Sequence, residues 1–145
     1  MASSAVSGVG TVFNRWSGSG WEALAEVNSI TGPTMTRSFI DVTSLDSIGG
    51  YREFITGFRD AGTISLKMNF TAVTYRKVKI DFESPIAQNY EIVLPDAEAL
   101  TLEFEGLVTE IPLSIPTDDK ITADVTIKIT GKVEISDNSG GSSGI

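Results

Sequence analysis

The sequence contains no cysteine and no histidine. Without cysteine the chain can form neither a disulfide framework nor a thiolate metal site, and the redox compartment is left open. Without histidine it lacks the usual general base, the commonest metal ligand and every catalytic triad built on imidazole. Enzyme chemistry would have to rest on carboxylates, Lys, Tyr or Ser alone, so we predict a protein that is not an enzyme and holds no cofactor or metal.

Long hydrophobic runs and basic residues are also scarce. No stretch approaches the 18 or more apolar residues of a membrane span, and residues 1–10 lack the basic start and apolar run of a signal peptide. We therefore expect a chain that is made and kept in solution, without membrane contact. The net charge is −8, which argues against holding nucleic acid by its phosphates, because that takes clustered Lys and Arg.

What the sequence does have is one long alternating stretch. In residues 121–135 every odd position is apolar or small and every even position is polar, which predicts a β-strand with one buried and one solvated face. At roughly 3.3 Å per residue this strand would reach about 50 Å, whereas a domain of this length is less than about 40 Å across. Either the strand bends at Gly131 across its own packed sheets, or it lines a surface shared with neighbouring subunits.

Shorter alternating stretches predict further strands at residues 11–16, 21–27, 37–42, 63–70, 88–94 and 100–108. One short amphipathic helix is predicted between Thr71 as N-cap and the stop signal Ser84-Pro85, with its apolar face at positions 72, 75, 78 or 79, and 82. We predict a mainly β fold, an antiparallel β-sandwich or partly closed barrel with this helix on one flank and a long β–β loop. The expected organisation is a flexible arm over residues 1–10, one domain over residues 11–136 and a flexible Gly/Ser tail over residues 137–145.

The long loop is predicted over residues 28–62, where the strand pattern breaks up. A connection of roughly 35 residues with so little regular structure is more often functional than filler. It is also too apolar for a solvated loop, since it carries Met35, Phe39, Ile40, Leu45, Ile48, Tyr51, Phe54, Ile55 and Phe58. Either it folds back over its own core, or it docks on a partner.

Acidic residues form a run in the second half of the chain. Between Ile80 and Asp119 there are ten acidic residues and no Lys or Arg. Four interpretations are open: a solvated face for solubility, a Ca²⁺ site that lacks the Asp-x-Asp-x-Asp-Gly loop, a catalytic pair, or an acidic wall along which a polyanion slides without adhering. The catalytic pair would be Glu103 and Glu105, about 7 Å apart along one strand.

Several segments resemble a known family. They are VNSITGP at 27–33, IDVTSLDS at 40–47, GGYREFI at 49–55 and FRDAG at 58–62, together with the strand stretches 88–96 and 102–133. These segments are similar to the tail tube (major tail) proteins of long, flexible, non-contractile phage tails. The resemblance covers about residues 13–133, is dense in the long loop and is loosest over residues 72–87.

The resemblance implies a β-sandwich subunit that assembles into hexameric rings, which stack into a hollow tube. The sheets of six subunits would join as one continuous β-barrel around an acidic channel for DNA ejection, and the loop and terminal arms would reach adjacent subunits. The implied partners are other copies of the chain, the tape measure, tail terminator and tail tip proteins, and DNA only in transit. The implied location is the virion tail, after synthesis in the cytoplasm of the infected bacterium. Contractile-tail and type VI secretion tubes use similar subunits.

Candidate residues follow for two surfaces. We expect Glu103 and Glu105, with Glu91, to face the channel, because they oppose an apolar strand face. The candidates for subunit and ring interfaces lie in the long loop and are Asp41, Asp46, Tyr51, Arg52, Phe58 and Arg59. Arg52 and Arg59 would pair with acids across an interface or within one subunit. The alternative function is a free β-sandwich module that binds carbohydrate or a cell surface by stacking sugars on Trp16, Trp21 and Tyr51.

Overall fold

The computed structural model describes residues 8–24, 26–96 and 99–136. The terminal arm predicted for residues 1–10 lies mostly outside these ranges, and the predicted tail at 137–145 lies wholly outside them. The described strands and helix are, in chain order, β1 (Val12–Trp16), β2 (Trp21–Ala23), β3 (Val27–Thr31), β4 (Thr36–Asp41), β5 (Phe54–Asp60), β6 (Thr63–Asn69), α1 (Ala72–Glu83), β7 (Gln88–Val93), β8 (Thr101–Glu110), β9 (Leu113–Ser114) and β10 (Thr122–Ser136). A 3-10 turn, Ile48–Gly50, lies between β4 and β5. The mainly β class with one helix is confirmed.

Eight of the strands form one antiparallel sheet, in the order β2-β1-β7-β8-β10-β6-β3, with β9 beside β10. Within the described ranges, the remaining two, β4 and β5, pair with each other and with no other strand. Among the described residues β2 and β3 do not pair, so the sheet has two free edges and does not close into a barrel by itself. Free edges are sites where another chain can add strands.

The long strand predicted at residues 121–135 is confirmed as β10, which has 15 residues. Its pairing with β8 shifts between Thr130 and Glu134. Thr130 pairs with Glu105 and Glu134 pairs with Glu103, so β10 has two more residues than β8 over this interval. Gly131 lies inside this irregularity with φ of +83°, a conformation that favours glycine. Such bulges bend a strand, so the monomer has the expected irregularity at Gly131.

The core consists of the apolar faces of the sheet strands. Phe13, Tyr90 and Phe104 pack against one another with ring centroids 5.7 to 6.4 Å apart. The central strands β6 and β10 add the alternate residues Ile64, Leu66, Met68, Ala123, Val125, Ile127 and Ile129. The predicted alternation therefore gives the buried face of β10 correctly in its middle, although its final apolar residue, Ile135, is 60% exposed.

The predicted helix is confirmed as α1, and the Oγ1 of its N-cap, Thr71, accepts a hydrogen bond from the backbone N–H of Thr74 at 3.2 Å. The predicted apolar face is wrong except at Val78, because the buried positions are Thr74, Val78 and Asp81. A buried carboxylate is not part of any apolar stripe, so the hydrophobic pattern could not reveal this face. In the described ranges no helix is long and apolar enough to cross a membrane.

Two predictions on the first half of the chain are wrong. The strand predicted at 37–42 is confirmed as β4, but the rest of the stretch 28–62 is more regular than predicted, since it also contains most of β3 and all of β5. The strand predicted at 21–27 is interrupted after Ala23, because Glu26 has φ of +59° and breaks the extended backbone. The β4–β5 ladder is irregular where the step from Arg37 to Phe39 opposes the longer step from Arg59 to Thr56, and this extra residue interrupts the alternation of β5 in the sequence.

Candidate functional surfaces

The solvent-facing side of the sheet carries a row of acidic side chains across three neighbouring strands. Glu91 on β7 lies opposite Glu103 on β8, and Glu103 lies opposite Glu134 on β10. Glu105 lies one step further along β8, between Asn89 and Thr130. Like charges directly opposite one another on paired strands are destabilising. We refer to Glu91, Glu103, Glu105 and Glu134 as the acidic rows.

The acidic rows have few neutralising contacts. Glu91 is half-buried and accepts a hydrogen bond from Asn14 Nδ2 at 2.8 Å, whereas Glu103 and Glu105 are exposed. Lys132 Nζ lies 3.8 Å from Glu134, with both side chains largely exposed. Glu103, Glu105, Glu134 and Lys132 line an open depression of about 420 Å³ beside the β10 irregularity. The structure thus brings the three predicted glutamates together on one face.

Sequence reasoning missed Glu134 as a member of this surface. Its even position in the alternating stretch places it on the polar face of β10, but the residue opposite it depends on the shifted register between β8 and β10. In the described part of the chain no group of three or more Asp, Glu, His or Cys side chains could hold a metal ion. The acidic rows are therefore an extended charged surface and not a compact ligand set.

The opposite side of the sheet is fastened to α1 by a buried polar network. Arg15 on β1 donates from Nε and Nη2 to the Asp81 carboxylate, at 3.0 and 2.5 Å, and Tyr90 Oη donates to Asp81 Oδ2 at 2.9 Å. Arg15 and Asp81 are only 8% and 3% exposed. The hydrogen bonds from Arg15 to Asp81 raise the pKa of Arg15, and burial beside Asp81 raises the pKa of Tyr90. Arg15 therefore stays positively charged and Tyr90 stays protonated at neutral pH.

The network extends to the surface at the edge of the sheet. Arg15 Nη1 donates to Glu22 Oε1 at 2.5 Å, and Lys77 Nζ lies 3.4 Å from Glu22 Oε2. The contact with Arg15 holds the pKa of Glu22 below its ordinary value of 4.5. Because the network positions α1 on the apolar side, the acidic rows and the helix lie on opposite sides of the sheet.

Residues 36–60, which comprise β4, β5 and the segment between them, form a hairpin that we call the arm. All six residues of β4 are exposed, and in β5 only Gly57 is partly covered. Large apolar side chains lie on both faces of the arm: Phe39 packs edge to face on Phe54 at 6.5 Å, and Ile40 lies opposite Ile55. Phe58 is 93% exposed. The interpretation that this segment covers its own core is wrong.

The interface candidates all lie exposed on the arm. Arg52 Nη1 contacts Asp41 Oδ2 of the same chain at 2.7 Å, with both side chains exposed, so Arg52 has a partner within one subunit. Hydrogen bonds from the side chain and backbone of Thr43 hold the pKa of Asp41 below its ordinary value. Arg59 lies opposite Arg37 and, among the described residues, contacts no carboxylate.

The three aromatic residues considered for sugar stacking lie on separate elements. Trp16 and Trp21 pack edge to face on each other at 5.2 Å in the β1–β2 hairpin, whereas Tyr51 belongs to the arm. In an edge-to-face pair the edge of one ring covers a face of the other, and that face is not open for stacking on a sugar. No observation in the described residues favours a carbohydrate site over an assembly surface.

Comparison with known proteins gives consistent matches. Residues 6–136 match the family model described as lambda phage tail tube protein, TTP. A chain in the tail of an empty gene transfer agent particle, refined with C6 symmetry, is similar at 21% identity, with a TM-score of 0.75 and coverage of 91% of this chain and 99% of that one. A chain in the sheath–tube complex of an extracellular contractile injection system in its extended state is similar at 14% identity, with a TM-score of 0.69 and coverage of 92% of this chain and 93% of that one. No curated protein sequence matches the chain.

Proposed function

The chain belongs to the lambda phage tail tube protein family, and we propose that copies of it form hexameric rings that stack into a hollow tube with an acidic channel for DNA ejection. Membership of this family makes it a structural protein and not an enzyme. The finer statements, namely six copies per ring, the acidic channel and the passage of DNA, are our proposal. Residues 11–136 would be the tube-building domain.

The observation that carries self-assembly is the exposure of the arm. A two-stranded hairpin is marginally stable in water without further packing, and this one has large apolar side chains on both faces, such as Phe39 and Ile40. Exposed apolar area of this kind marks an interaction surface. Copies of the same chain would cover it, with Asp41, Asp46, Tyr51, Arg52, Phe58 and Arg59 at subunit or ring contacts.

The acidic rows support the assignment of a channel lining. If Glu91, Glu103, Glu105 and Glu134 face inward, α1 faces outward, because the two lie on opposite sides of the sheet. Six copies at −8 each would carry about −48 per ring, opposite a duplex with one charge per 1.7 Å. Repulsion between like charges would keep DNA from adhering. The free sheet edges of β2 and β3 would be satisfied by neighbouring copies.

The partners proposed are the tape measure, tail terminator and tail tip proteins, with the virion tail as the location and no membrane contact. Neighbours of this fold include a chain in the virion of a native gene transfer agent particle, 19% identical with a TM-score of 0.76 and coverage of 91% and 99%. Another is a chain in the sheath/tube terminator of an extracellular contractile injection system, 14% identical with a TM-score of 0.69 and coverage of 94% of this chain and 99% of that one.

Electron microscopy and light scattering of the purified protein test self-assembly. We expect tubes with a central channel from the wild-type chain, and folded monomers or small oligomers from Phe58→Asp, which places a charge on the arm's most exposed aromatic ring. Ile80→Asp, at an exposed apolar position on α1, is the matched control that makes the same charge change outside the arm and should still form tubes. Wild-type protein that stays monomeric at high concentration would contradict the proposal and favour a free binding module.

The absence of cysteine allows a direct test of the channel lining. Glu105→Cys should react with a small maleimide in both monomers and tubes, but with a bulky polyethylene glycol maleimide only in monomers, because the channel wall is sterically restricted. Lys79→Cys, on the exposed surface of α1, should react with both reagents in both states. The reverse pattern would place α1 inside and the acidic rows outside.

A further inference from the structure

The arm and a short acidic segment before β10 lie at opposite ends of the eight-stranded sheet. The arm ends at Asp60, three residues before Thr63 at the start of β6, and Thr63 pairs with Lys128. At the other end of β6, Asn69 pairs with Thr122, the first residue of β10. The turn at residues 117–120, which we call the acidic turn, is separated from β10 by Ile121 alone. The seven residues of β6 separate the two features by about 20 Å along the strand.

The base of the arm carries two cations without counter-charges. Arg37 and Arg59 lie directly opposite each other on β4 and β5, an arrangement that is destabilising for like charges. The two carboxylates nearest in sequence are engaged elsewhere, since Asp41 contacts Arg52 and Asp60 contacts Lys128. Within the described ranges no ion pair or hydrogen bond links either guanidinium of this pair to a carboxylate. The monomer therefore leaves two guanidinium groups side by side in a protein of net charge −8.

The acidic turn is the complementary feature. Asp118 and Asp119 are adjacent and exposed, and no described Lys or Arg side chain forms an ion pair with either of them. Asp119 Oδ1 accepts a local hydrogen bond from the backbone N–H of Lys120 at 2.7 Å. Unlike the acidic rows, the turn lies at the end of a strand, not on the solvent-facing side of the sheet. It therefore presents two carboxylates at the end of the sheet opposite the arm.

We propose that the Arg37–Arg59 pair of one copy binds the carboxylates of Asp118 and Asp119 of the next copy along the tube axis. The proposal rests on the self-assembly proposed above and names the contact that gives it direction. Guanidinium groups form paired, charge-assisted hydrogen bonds with carboxylates. Cations at one end of the sheet and anions at the other make the contact head-to-tail, which produces an open-ended stack, and identical ends repel each other.

Charge reversal on each side tests the contact. In R37E/R59E and in D118K/D119K, each purified alone, like charges would face each other, and we expect at least a tenfold reduction in pelletable polymer relative to wild type. A 1:1 mixture should recover polymer, because the reversed arm of one variant matches the reversed turn of the other. The control R76E/K79E makes the same charge change on α1 as R37E/R59E makes on the arm, and it should polymerise like wild type.

The outcomes separate this contact from the broader proposal. If wild type polymerises and both charge-reversed variants do so equally well, the contact is wrong and tube formation stands. If both variants fail and their mixture fails as well, although each is folded by circular dichroism, the pairing of these two sites is also wrong. Wild-type protein that forms no polymer would overturn the proposed function together with this contact. Recovery in the mixture alone supports the contact.

Discussion

Asp81→Ala should be among the most destabilising single substitutions in this chain. The Asp81 carboxylate is 3% exposed and accepts three hydrogen bonds, two from Arg15 and one from Tyr90. The substitution would leave the 8%-exposed guanidinium of Arg15 with Glu22 alone, and would leave the buried Tyr90 hydroxyl without its acceptor. α1 would then lose its polar connection to β1 and β7.

The expected cost can be bounded from the physics of buried ion pairs. Removing one partner of such a pair costs about 3–5 kcal/mol, mostly because the other charge stays buried and uncompensated. The total stability of a domain is about 5–15 kcal/mol, so the variant would lose a large part of it. Replacing both charges with apolar residues, as in Arg15→Met/Asp81→Leu, should cost much less than Asp81→Ala, because no unpaired charge remains.

Urea unfolding, followed by tryptophan fluorescence, measures this effect at concentrations where light scattering detects no polymer. Lys79→Ala is the matched control on the same helix, because it breaks an exposed pair with Glu83 and should cost no more than about 0.5 kcal/mol. A loss below about 1 kcal/mol for Asp81→Ala would refute the reasoning that this network fastens α1 to the sheet.

Three further predictions concern the arm and the residues at its base. Arg52→Glu would place two carboxylates at the Arg52–Asp41 contact, and we expect a folded monomer that forms no tubes in electron micrographs; tubes of normal length would count against an interface role. Gly62→Ala should lower the free energy of unfolding, measured in urea, more than Gly50→Ala does. Both glycines have positive φ, at +81° and +75°, but only at Gly62 would the new Cβ meet a backbone atom, the carbonyl oxygen of Thr34 at 2.0 Å. Lys128 holds the pKa of Asp60 below its ordinary value of 3.8, so the stability that this pair contributes is present above about pH 4 and is lost as the pH falls through the lowered pKa. Asp60→Asn should therefore flatten the acid limb of a urea-midpoint profile measured from pH 2 to 6, and an unchanged limb would contradict that assignment.

Much of the fold could be predicted because its signals are local. The alternation in residues 121–135 is a property of the strand itself and correctly predicts β10, and Thr71 with Ser84-Pro85 correctly bounds α1. The position of Glu103 and Glu105 on the polar face of β8 follows from the same two-residue period. These features depend on backbone geometry and neighbouring residues, which the sequence states directly.

The features that could not be predicted depend on contacts between distant segments. That Glu134 lies opposite Glu103 is fixed by a register shift at Gly131, which has no periodic signature. Asp81 is buried because Arg15, 66 residues away in the chain, supplies its counter-charge. The pairing of β4 with β5 was hidden by an irregularity near Gly57 that interrupts the alternation. Charge pairing and strand register are long-range properties, and a local pattern does not determine them.

The measurement that tests the central claim most directly is an electron cryomicroscopy map of the polymer formed by the wild-type chain, at a resolution that shows side chains. The account predicts a tube in which Glu103, Glu105 and Glu134 line the channel, α1 lies outside and the arm contacts neighbouring copies. A polymer with α1 against the channel, or an arm that contacts no other copy, would contradict it.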